Sequence, residues 1–139
     1  MTKKQVIKGC YALISREAEA RKLTIKDNGT GHGFDNTVWP FLDLSNIPNV
    51  VAENDDYKIE LRSFWGDPEI DISIKTPIGQ ELLIFNFSDS VKKGDKYEET
   101  GDFHVHQLRV DGLRGNYKKA VEQVYEMIDF VMEMGSNEF

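Results

Sequence analysis

The chain holds a single cysteine, Cys10, in 139 residues. One thiol can form neither an internal disulfide nor a cysteine-based metal site, and such usage fits a reducing compartment. No apolar run comes near the roughly 20 residues that a bilayer-spanning helix needs. The opening Met1-Thr2-Lys3-Lys4 lacks the apolar segment and cleavage site of a secretory signal, so a cytoplasmic setting is expected. Basic charge is also in deficit: 17 Lys and Arg face 24 Asp and Glu, a formal charge of −7. Sequence-independent affinity for nucleic acid comes from cationic side chains on phosphates. Direct nucleic-acid binding and adsorption to an anionic membrane are therefore not expected. A protein partner with a basic surface is the better match to this field. The plainer reading is that the charge keeps the chain dissolved.

What is present is enough apolar material, 40% of residues, for one globular domain over 1–139. Leu82-Leu83-Ile84-Phe85-Asn86-Phe87 reads as a strand inside a sheet, apolar on both faces. Tyr57, Ile59 and Leu61 alternate with charged residues, and Ile70, Ile72 and Ile74 with Asp71, Ser73 and Lys75, which predicts two half-buried strands before it. Thr76-Pro77-Ile78-Gly79 is a hairpin signal, and Gly66-Asp67-Pro68 another turn. Phe103 to Val110 is the last strand, where a bulge near Gln107 would bring Phe103 and Val105 onto the face of Leu108 and Val110. Leu23-Thr24-Ile25 allows a short extra strand. Residues 26–56 read as a long irregular loop and Ser88 to Asp102 as a solvated one. Helical spacing marks residues 3–22 and a final helix capped by Asn116 and ended by Gly135. The expected fold is α+β: an N-terminal helix, an antiparallel meander sheet of about four strands and a C-terminal helix, with the helices packed on the sheet.

The final helix is the most informative surface. Glu122, Glu126, Asp129 and Glu133 line up opposite its apolar stripe, with Phe130 on one flank of the row and Tyr125 on the other. An acidic row flanked by aromatics suits a basic, partly apolar groove on another protein, although an ordinary solvated helix face has the same pattern. His104 and His106 are two apart on a strand and face the same way, so they could hold a metal and activate water for hydrolysis. Nothing in the spacing fixes a third ligand.

Asp27-Asn28-Gly29-Thr30-Gly31, following Leu23-Thr24-Ile25, resembles the Asp-x-Gly-x-Gly adenine-site box of the Hsp90, MutL and histidine-kinase ATPases. The resemblance covers about five residues. It implies that Asp27 meets the adenine amino group while Gly29 and Gly31 admit the nucleotide. The upstream stretch Ser15-Arg16-Glu17-Ala18 has that family's Glu without its Asn, and no second glycine box follows. Trp39, Phe41 and Trp65 are candidate stacking surfaces for a small ligand. Cys10 falls on an apolar helical stripe and reads as core rather than nucleophile.

The reading that collects most of these features is a non-enzymatic acidic binding protein, with no cofactor, docking on a protein and inhibiting one that itself binds nucleic acid. Small acidic α+β domains occur among phage and mobile-element inhibitors and among immunity proteins, an analogy of size and charge alone. The alternatives are a metal-dependent hydrolase at His104 and His106, or a small-ligand or nucleotide binder using the glycine loop 27–33. A homodimer through the acidic face or an edge strand is compatible with each.

Overall fold

The computed structural model describes residues 1–27, 47–112 and 115–137. A helix α1 (Lys3–Arg21) leads into the strands β1 (Thr24–Asp27), β2 (Val50–Glu53), β3 (Tyr57–Phe64), β4 (Asp67–Thr76), β5 (Gly79–Lys93) and β6 (Lys96–Asp111), and a helix α2 (Tyr117–Ser136) follows. Each strand pairs antiparallel with the next in sequence, so the sheet order is β1-β2-β3-β4-β5-β6. This is the expected α+β meander between two helices, but six strands wide rather than about four.

The extra width comes from segments with weak patterns. β2 lies inside the expected loop 26–56 and spans only four residues, too few for alternation to be read. Pairing with β3 places Val50 opposite Leu61 and Ala52 opposite Ile59, all four fully buried. Ser88 to Asp102 is likewise not a loop. It is the outer part of the β5–β6 hairpin, closed by Gly94-Asp95 and paired from Lys93↔Lys96 to Ser90↔Glu99. From Val91 to Asp102 both faces meet water, so charge there reports exposure rather than irregularity.

On one face of the sheet, cross-strand rows run Ile59–Ile72–Leu83 and Leu61–Ile70–Phe85, and each of these side chains is fully buried. Both helices cover this face, adding Val6, Ile7, Leu13 and Ile14 from α1 and Val124, Met127 and Val131 from α2. The bulge expected near Gln107 is present. Asn86 pairs with Gln107 and Phe87 with Val105, leaving His106 as the inserted residue. It lets Phe103 and Val105 join Leu108 and Val110 on the helix-covered side.

The helices are antiparallel and touch backbone to backbone. A Cβ at Gly9 would collide with the Val131 carbonyl oxygen, and one at Gly135 with that of Gln5. Gly135 therefore does not end α2, as its position in the sequence suggests. The helix runs through it to Ser136, and the glycine is there for close approach. The expected Asn116 cap is observed, with Oδ1 accepting from the Lys119 N–H at 3.1 Å. At the start of α1, Thr2 and Gln5 form a reciprocal capping box. Cys10 is fully buried, and burial pushes its thiol far above the ordinary range.

Candidate functional site

The outer face of α2 gathers the residues expected there. Glu122, Tyr125, Glu126, Asp129, Phe130 and Glu133 line one shallow recess of 490 Å³. Two of them are also structural. Glu126 takes a bidentate pair from Arg16 of α1, with Nη1–Oε1 at 2.6 Å and Nη2–Oε2 at 2.9 Å, and this cation holds its carboxyl below the usual range. The same guanidinium lies 4.1 Å from the centre of the Phe130 ring, so the phenyl leans back against α1 as a cation–π partner. No ion pair joins Glu122, Asp129 or Glu133 to a described residue. The recess thus has a braced floor, Arg16–Glu126–Phe130, and around it three carboxylates with no ion pair among the described residues.

A second concave region lies on the sheet face that the helices leave open. Alternation puts Arg62, Glu69, Asn86 and Gln107 in one cross-strand row, and Glu60, Asp71, Ile84 and Arg109 in the next. Arg62 reaches Glu69 at 3.7 Å and Asp71 at 3.5 Å. Glu69 is almost fully buried. That burial, reinforced by a hydrogen bond and like charge from Asp71, pushes its carboxyl up to about 7 against the pull of Arg62. Asp71 Oδ1 is buried without a hydrogen-bond partner. This recess measures 670 Å³, and a neighbouring one of 680 Å³ shares Phe64 and Asn86 with it and adds Trp65, Tyr97 and His106.

Trp65 shows why this rim is unusual. It projects from the two-residue β3–β4 turn with Gly66, both at positive φ (53° and 84°), the geometry of a type I′ hairpin turn. The indole is 92% exposed and meets Phe64 edge-on, with ring centres 6.5 Å apart. The turn expected at Gly66-Asp67-Pro68 is therefore one residue earlier, and Asp67 and Pro68 begin β4.

His104 and His106 both stand on the open side, His104 opposite Ser88 and His106 at the bulge. Only His106 lines the recess, and His104 Nδ1 lies 3.3 Å from the Asp102 carbonyl oxygen. No group of three or more metal-ligating side chains comes together among the described residues. Asp27 ends β1, while Gly29, Gly31 and Trp39, with the rest of the glycine loop, lie outside the described residues.

Sequence reasoning passes over Glu69, Asp71 and Asn86, although signals for them exist. Once Ile70 and Ile72 face the core, Glu69 and Asp71 must share the opposite face. Asn86 is the single polar residue in the apolar run of β5. Glu69 and Asn86 are buried on a face that reads as wet, and no local window of the sequence shows it. No protein-family model, curated protein or solved structure matches the chain.

Proposed function

We propose that the chain is a non-enzymatic binding protein whose α2 outer face docks on a basic surface of a protein partner. One observation carries this reading: the acidic and aromatic residues of α2 line a single recess, with three of its four carboxylates unpaired among the described residues. Arg16 already neutralises Glu126 and fixes Phe130, so little side-chain order is lost when a partner arrives. Glu122, Asp129 and Glu133 supply the charge, and a guanidinium from the partner would find two or more carboxylates for charge-assisted bonds. Tyr125 offers a half-exposed ring beside them. Surfaces rich in Lys and Arg are the ones that phosphates occupy, so docking there competes with nucleic acid for the partner.

The test reverses the three free charges together, Glu122→Lys, Asp129→Lys and Glu133→Lys, and leaves Glu126 in place. The variant is expected to keep the melting temperature of the parent within a few degrees and to bind a partner captured at low salt about 100-fold more weakly. The parent complex should dissociate as salt rises. Equal capture by both proteins would remove α2 from the function.

A further inference from the structure

We propose that the open face of the sheet binds a neutral saccharide, seated on Asn86 between the Glu69–Asp71 carboxyl pair and the Phe64–Trp65 corner. Asn86 is 3% exposed and stands directly opposite Glu69 on β4 and Gln107 on β6. Its Oδ1 accepts the Gln107 N–H at 3.0 Å, which sets the amide orientation and leaves Nδ2 with no hydrogen bond to a described residue. Asn86 lines the recess, so this Nδ2 is available as a donor there. On the same face, Asp71 Oδ1 is a buried acceptor without a hydrogen-bond partner, a condition that costs about 1–3 kcal/mol. An available donor and an idle acceptor on adjacent strands match a ligand whose groups both give and take hydrogen bonds. Hydroxyls do so, and neighbouring hydroxyls on a ring suit the planar amide, carboxyl and guanidinium groups gathered here.

The rim supplies the other half of such a site. Trp65 occupies a left-handed backbone position, at φ 53°, that a bulky residue adopts only at a cost of about 1 kcal/mol or more. Asn would fit that turn position with less strain, so the turn itself does not call for an indole. An exposed ring set edge-on to Phe64 beside a polar recess is a platform for the C–H face of a sugar. Charge narrows the class further. Arg62 is already shared by Glu69 and Asp71, and Arg109 is paired with Asp111 at 2.7 Å, so neither guanidinium is free to take a phosphate or sulfate. The two joined recesses, 670 and 680 Å³, are each of a size that holds a small ligand.

The experiment presents the labelled full chain to an array of neutral, sialylated and sulfated glycans, and titrates the best neutral glycan by calorimetry. Retention on a subset of neutral glycans is expected, with Kd tighter than about 1 mM. Trp65→Asn should weaken that binding about tenfold or more while raising the melting temperature, because it creates a favoured Asn-Gly turn. Asn86→Ala should give a similar loss, and if that variant fails to fold the Trp65→Asn result still decides. Absence of neutral-glycan binding up to about 10 mM would overturn the proposal. So would a preference for sulfated or sialylated glycans, or binding that Trp65→Asn leaves intact.

Discussion

In the unfolded chain Glu69 ionises near its ordinary 4.5, whereas in the folded chain it keeps its proton to about 7. Between those values the native state binds more protons than the unfolded state, so stability falls as pH rises through that window. The stabilisation is fully present below about pH 4.5 and lost above about pH 7, a change on the order of 2 kcal/mol once solvent screening is discounted. Glu69→Gln imitates the protonated carboxyl and keeps a donor for Asp71. The variant should match the parent in urea near pH 5 and exceed it by about that amount near pH 8. A parallel fall in both proteins would mean that Glu69 is ionised throughout. Arg16 behaves differently. Its pair with Glu126 is partly exposed, so Glu126→Gln should cost only about 0.5–1 kcal/mol, and its main effect would be to free the Phe130 ring.

At the scale of elements, the contact between α1 and α2 is set by what their glycines lack. Gly9→Ala forces a methyl group against the Val131 carbonyl, where backbone must give way. Overpacking of this kind should destabilise by about 1–3 kcal/mol in chemical denaturation, although alanine is the better helix former by about 1 kcal/mol. Stabilisation by that variant would mean that the helices sit further apart than described. The elements also show what a sequence can carry. The middle of β5 is legible because its run is apolar on both faces, and β3 and β4 because apolar residues alternate with polar or charged ones over six or more residues, so burial of one face makes the register unique. The bulge at His106 is legible for the same reason, since two pairs of apolar residues fall out of phase. Val50-Val51-Ala52-Glu53 is not legible, because a four-residue strand owes its existence to Ile59 and Leu61 beside it. Gly135 misleads because the same residue type serves helix ends and helix crossings. Of the candidate sites, the α2 face follows from helical period alone, while the open-face recess depends on pairing across β3, β4, β5 and β6 that no local window contains.

For the whole molecule, protection from solvent grades along one direction. Ile59, Leu61, Ile70, Ile72, Leu83 and Phe85 lie under the helices, while residues 91–102 of the β5–β6 hairpin are exposed on both faces. Hydrogen exchange should therefore be slowest in β3, β4 and the first half of β5. The amides from Val91 to Glu98 should exchange through local opening at least 100-fold faster, a difference of about 3 kcal/mol. Uniform protection along β5 and β6 would show that the hairpin is tied into the main cooperative unit.

Among the described strands every pairing is between neighbours in the order, but the crossing of Gly9 with Val131 joins residues more than a hundred positions apart. On a ribosome the sheet can assemble strand by strand as the chain emerges, with low contact order and little entropy lost to loop closure. The first helix has no such freedom. It is made well before α2, so while the sheet is being synthesised the apolar stripe that will meet α2 stays uncovered. The steps most open to misassembly are therefore those before α2 emerges, and a chain stalled or truncated ahead of it would expose that stripe while carrying a nearly finished sheet.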